Sequence, residues 1–193
     1  MQASPWIGLK LRIIGGEFRG RRLATPEGLV TRPMLARVRE ALFNILSTRI
    51  VGARVADCFS GTGAIGLEAL SRGAEHVDFF ESGRHVLNHL ERNIAQVGVG
   101  DRVTLHRSKL PASLGVGPPW DVVIVDQPWT LSLGQPLVAH LLDRGRVTSE
   151  GWIVVSERKG FELDDRAWHE LDLEVVDRRR YGDSSLVFLA KSV

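Results

Sequence analysis

From Arg54 onward, apolar positions come in two alternating textures. Short, nearly continuous apolar runs at 54–59, 76–81, 102–107, 121–126 and 152–157 predict strands buried on both faces. Between them, 64–72, 84–97 (closed by Gly98) and 133–142 repeat apolar residues at three- and four-residue spacing and predict helices. Two last strands are expected at 171–176 and 185–190, joined by Arg178-Arg179-Arg180-Tyr181-Gly182. The alternation predicts an α/β fold: a doubly wound, mostly parallel seven-stranded sheet with helices on both faces and an antiparallel edge from the final pair.

The first part of the chain has a different pattern. Leu11–Leu23 predicts two short strands around Gly15-Gly16, a small β-hairpin extension that buries Ile13, Ile14, Phe18 and Leu23 and turns its arginines outward. Residues 1–9 are expected to be a loose leader, and Pro26, Gly28 and Pro33 mark a loop. Met34, Leu35, Val38, Leu42, Ile45 and Leu46 then recur at helical spacing to about Ser47, with Arg37, Arg39 and Glu40 on the wetter face. This divides the chain into a basic hairpin and loop at 1–33 and a larger domain at 34–193.

Composition narrows the setting. A chain of 193 residues with 44% hydrophobic and 25% charged residues can bury a core unaided. One cysteine, Cys58, excludes an internal disulfide; with no signal-like leader, a cytoplasmic location is expected. Apolar runs fall short of the ~20 residues a membrane span needs. The net charge is only +2, but residues 1–39 hold eight basic side chains against two acidic ones. Arg12, Arg19, Arg21, Arg22 and Arg32 are therefore candidate contacts to nucleic-acid phosphates, for which a planar guanidinium is the better fork.

The candidate chemistry begins where the first strand breaks. Gly61, Gly63 and Gly66 have the spacing G-x-G-x-x-G, which brings backbone N–H groups and a helix N-terminus close to a ligand. Asp57 stands just before the turn and Glu81 ends the next strand. A carboxylate at Asp57 repels a pyrophosphate but suits a ligand with an ammonium group, a sulfonium and ribose hydroxyls. The acid after the second strand is where nucleotide folds bind ribose. The pair favours S-adenosyl-L-methionine over a nicotinamide dinucleotide.

The fourth strand ends in Asp126-Gln127-Pro128-Trp129, at the sheet edge where open α/β folds bind ligands. This tetrapeptide looks like the Asp/Asn-Pro-Pro-aromatic signature of amino-methyltransferases. A carboxylate and a backbone carbonyl can orient an exocyclic amine whose lone pair is delocalised into a base. Trp129 would stack on an extracted base. Asp126 can accept from guanine N1–H and N2–H together, whereas adenine presents a bare N1 lone pair. The histidines are scattered apart from the single pair His85 and His89, so no metal is expected, and Ser60 is in no nucleophile elbow.

Taken together, residues 11–23, Thr31-Arg32-Pro33, the run Arg37–Asn44, Asp57–Gly63, Gly66–Gly73 and Asp126–Trp129 resemble the bacterial RsmD family. The resemblance implies a Rossmann-like class I methyltransferase acting on guanine N2 in small-subunit (16S) ribosomal RNA, alone or in the particle. It also implies S-adenosyl-L-methionine as cofactor and a hairpin that helps hold RNA; a monomer is expected. Three positions depart from the family pattern. Met34-Leu35-Ala36 replaces a polar, acidic stretch; Gln127 replaces proline; and Ser108, at the end of the third strand, stands where an Asp or Asn receives the adenine amine. Cofactor contacts are thus expected from Asp57, Ser60, Gly61, Gly63, Glu81 and Ser108. Two rivals stay open: an adenine-N6 methyltransferase, and a catalytically impaired relative that binds RNA during ribosome assembly.

Overall fold

The computed structural model describes residues 11–26, 34–112, 114–128, 130–160 and 163–192. The expected leader lies outside them, as do Arg32 and Trp129.

Seven strands form one sheet: β1 (Arg54–Cys58), β2 (His76–Glu81), β3 (Val103–Arg107), β4 (Trp120–Val125), β5 (Val147–Arg158), β6 (Leu173–Tyr181) and β7 (Ser184–Lys191). Their order is β3-β2-β1-β4-β5-β7-β6. The first five are parallel, while β7 runs antiparallel between β5 and β6. The helices are α1 (Ala36–Leu46), α2 (Ala64–Ser71), α3 (Arg84–Val97), α4 (Gly134–Asp143) and α5 (Asp165–His169). One face of the sheet packs a cluster drawn from α1, α2 and α3, including Leu42, Leu67 and Leu90. The other packs Leu137 and Leu141 of α4 with Trp168 of α5. This is the expected doubly wound fold.

Three local expectations need correction. Arg178–Tyr181 continues β6, leaving Gly182-Asp183 as the turn, because these residues pair with Val187–Ser184 of β7. The hairpin's ladder is limited to Leu11–Ile13 against Arg21–Leu23, with a single Arg12–Arg22 bridge, and its turn spans Gly15–Gly20 rather than Gly15-Gly16. Arg39 is on the inner face of α1 and is 1% exposed.

Arg39's burial is part of how the hairpin docks. Every residue of α2 is buried, so a second layer must cover the side turned from the sheet. Leu11, Ile13, Phe18 and Leu23 form that layer and join the α1–α3 core. The two outward polar groups of α2 satisfy the hairpin backbone. Glu68 accepts the N–H groups of Ile14 (2.7 Å) and Gly15 (2.8 Å), and Ser71 Oγ accepts that of Phe18 (2.9 Å). Arg72 Nε donates to Glu68 at 2.8 Å, and Arg39 Nε lies 3.7 Å from the same carboxylate. Arg39 Nη2 also donates to Arg12 O at 2.6 Å, tying α1, α2 and the hairpin together.

Candidate active site

Sheet register brings the three acids together. Asp57 stands beside Phe79 of β2 and Ile124 of β4. Alternate residues of a strand share a face, so Glu81, two beyond Phe79, and Asp126, two beyond Ile124, emerge on Asp57's face. Both raise the Asp57 pKa electrostatically, as neighbouring negative charges do.

Asp57 is fully buried. Its Oδ2 accepts the N–H of Gly66 at 2.8 Å, while its Oδ1 has no hydrogen-bond partner. Burial is the largest influence on this carboxyl and pushes its pKa up to about 7, against the opposing Gly66 hydrogen bond. Glu81 is half-buried and takes three backbone N–H groups: Gly61 on Oε2 (2.9 Å), Ser82 (2.8 Å) and Gly83 (2.7 Å) on Oε1. It braces the glycine turn and retains one acceptor position on Oε2.

Ser60 spends its hydroxyl inside the turn, donating to Asp57 O at 2.7 Å. Gly61 has φ +55°, and a Cβ built on it meets nothing within 4 Å, so it borders open space. Gly63 lies against Leu90 and Gly66 against Phe79, where a Cβ would come within 2.4 and 2.3 Å of those side chains. The first glycine thus faces outward, and the other two permit close helix packing. Ser108 follows β3, its N–H bound to Glu81 O at 3.0 Å and its enclosed hydroxyl without a partner. The unspent Asp57 Oδ1 and Ser108 Oγ, flanking a turn open at Gly61, fit a ligand with polar groups at both ends, as S-adenosyl-L-methionine has.

Asp126 leaves β4 half-buried, and burial raises its pKa to about 6 despite a hydrogen bond from the Ser156 hydroxyl. Gln127 Oε1 accepts the N–H of Leu133, the residue before α4, and Leu131 N–H bonds Pro128 O at 2.9 Å. The glutamine side chain thereby anchors the loop in a way a proline cannot. Sequence reasoning missed Ser156, although a lone hydroxyl after the apolar run Ile153–Val155 was a signal. It also missed Phe59, whose φ of +64° is an outlier for a bulky residue, located between β1 and the glycine turn.

Among the hairpin arginines, Arg12, Arg19 and Arg22 are exposed. Arg21 is exposed too, but packs over Phe18 and donates to Val97 O at 2.8 Å, at the end of α3.

A parallel sheet with an antiparallel β7 and acids at its strand ends beside a glycine turn is the Rossmann-like methyltransferase architecture. The ribosomal protein L11 methylase of Lactobacillus delbrueckii, 16% identical, has the same fold, with a TM-score of 0.72 over 88% of this chain and 84% of that one. The chain belongs to the RsmD family, whose pattern, described as conserved hypothetical protein 95, matches residues 11–190. It is similar to ribosomal RNA small subunit methyltransferase D of Escherichia coli, 39% identical over 146 residues, covering 76% of this chain and 74% of the relative. The protein of that name from Haemophilus influenzae is 33% identical over 157 residues, covering 78% and 80%. The solved structure of yhhF from Escherichia coli superposes with a TM-score of 0.83 at 34% identity, covering 95% of this chain and 98% of that one.

Proposed function

We propose that this protein is an S-adenosyl-L-methionine-dependent methyltransferase that modifies the exocyclic N2 amine of a guanine in small-subunit ribosomal RNA. The observation that carries the reading is the set of three carboxyls, Asp57, Glu81 and Asp126, on one face of adjoining strands beside a glycine turn. The names of the relatives support ribosomal RNA as the substrate class.

The bound cofactor supplies an electrophilic methyl group on a sulfonium. Asp57 and Glu81 offer negative charge and acceptor capacity to its ammonium group and ribose, and Ser108 offers a hydroxyl to its adenine. Asp126 accepts N–H bonds from the guanine amine and N1, holding the amine so that its lone pair faces the methyl donor. The backbone carbonyl of Gln127 takes the second amine hydrogen, and Pro128 shapes the turn. Trp129 supplies a face on which the extracted base stacks. The amine is far too weak an acid for Asp126 to ionise beforehand, so its proton leaves during or after methyl transfer.

Arg12 and Arg22 face each other across the hairpin ladder, a like-charge pairing that costs stability unless an anion bridges it. Together with Arg19 and Arg21 they form the phosphate-binding surface, and Arg32, outside the described residues, is assigned to phosphate contact by sequence alone. The test is methyl transfer from labelled cofactor to naked 16S RNA and to small-subunit particles, followed by digestion and identification of the nucleoside. N2-methylguanosine is expected, and its loss in Asp126→Ala. N6-methyladenosine, or RNA binding without cofactor binding, would overturn the reading.

A further inference from the structure

The sheet end opposite the glycine turn carries an arginine that the methyltransferase reading does not use. Arg146, between α4 and β5, is 7% exposed, and its guanidinium lies over the Trp120 ring with Cζ 4.0 Å from the centroid. Its Nε and Nη1 are enclosed and have no hydrogen-bond partner among the described residues. The carboxylates around it are already engaged. Asp78 is bonded by Arg54 Nη2 (3.2 Å), His106 Nε2 (2.8 Å) and Trp120 Nε1 (2.8 Å). Asp121 accepts the Arg54 N–H at 2.9 Å. Burial lowers the Arg146 pKa from its ordinary value, with the Asp78 charge opposing the shift and Arg54 adding to it. An enclosed guanidinium with unspent N–H groups is costly, and native structures usually satisfy such groups with water or an ion.

A cavity of about 50 Å³ adjoins Arg146, lined by Gly115, Val116, Gly117, Arg144 and Arg146. A Cβ on Gly117 would stand 2.6 Å from Arg146 Nη1, so the missing side chain keeps this approach clear. Val116 turns its side chain fully to solvent, and Arg144 stands exposed at the rim. The volume holds a few waters or one small oxyanion.

We propose that Arg146, with Arg144, binds a phosphate-class oxyanion in this cavity. Nη1 and Nη2, the two guanidinium nitrogens that lie against Gly117, present parallel N–H donors that match two oxygens of a phosphate, and two glycines let the anion approach the main chain. The site is far from the strand-end acids and does not depend on the methyl-transfer reading. The phosphate belongs either to a small molecule or to a nucleic-acid backbone.

Calorimetry of the full chain with inorganic phosphate, against chloride at matched ionic strength, is the test. Saturable binding is expected in the unmodified protein, weakened about tenfold by Arg146→Gln, as loss of a charge-assisted hydrogen bond implies. Gly117→Ala keeps the charge but displaces Nη1 and should weaken binding too, so the test survives if Arg146→Gln does not fold. Fluorescence anisotropy with a short RNA separates the sources. A backbone phosphate predicts weaker RNA binding in Gly117→Ala and competition by inorganic phosphate; a small-molecule phosphate predicts unchanged RNA affinity. Absence of saturable phosphate binding, or equal binding in the unmodified protein and both variants, overturns the proposal.

Discussion

Asp57 Oδ2 accepts the backbone N–H of Gly66 at 2.8 Å, joining the end of β1 to the first turn of α2. The carboxyl has a pKa of about 7 in the folded chain. An unfolded aspartate titrates near ~3.9, so the folded chain holds more protons between those values. Its stabilising contribution is therefore complete below about pH 4 and lost as pH rises through about 7. A ligand with an ammonium group favours the ionised form instead. Adenosylhomocysteine affinity should fall as pH is lowered below about 7, with protons released on binding. Calorimetry in buffers of different ionisation enthalpy reads this directly; the dependence should vanish in Asp57→Asn.

In the proposed reaction Ser156 would act through Asp126. Its hydroxyl bond opposes the burial that raises the Asp126 pKa to about 6. Removing the donor in Ser156→Ala should raise that pKa further and move the acid limb of the pH–rate profile to higher pH. Ser156→Thr should leave the limb in place. A uniformly slower enzyme with an unmoved limb would assign Ser156 a packing role only.

The glycines separate folding from binding. Gly66→Ala drives a methyl to 2.3 Å from Phe79 Cε1 and should destabilise by roughly 1–3 kcal/mol or more, read as a lowered melting temperature. Gly61→Ala meets open space, so its cost is the backbone strain at φ +55°, about 1 kcal/mol. It should fold yet lose affinity for adenosylhomocysteine, because the added methyl enters the ligand's side of the turn.

Glu68 is fully buried and accepts two hairpin N–H groups and the Arg72 guanidinium. Glu68→Gln removes the charge opposite Arg39 and should cost roughly 3–5 kcal/mol. The freed hairpin should then be cut by trypsin at Arg19, Arg21 or Arg22 faster than in the unmodified protein.

Gln127 Oε1 holds the Leu133 N–H at the start of α4. Gln127→Ala leaves the partly buried Leu133 N–H without its acceptor and should cost about 1 kcal/mol. The chemical step should slow, with adenosylhomocysteine affinity unchanged, since the loop it anchors carries Asp126 and Pro128.

Much of this protein was determined by local order in its sequence. Strand and helix periods, the glycine turn and the acids at strand ends are short-range patterns. The period of two along each strand puts Asp57 with Val55, Glu81 with Phe79, and Asp126 with Ile124. Only the tertiary structure decided which strands adjoin, and hence that these acids meet on one face and that Ser156 reaches Asp126 from β5. Periodicity alone put Arg39 in water, but α2 and the hairpin close over it and provide Glu68 and the Arg12 carbonyl as partners. Arg178, expected in the connection between the last two strands, is instead brought by β6 to Glu157 at 3.2 Å. A side chain's period is set by its own backbone; its burial and its charge partner depend on surfaces far away in the chain, which meet only when the layers pack.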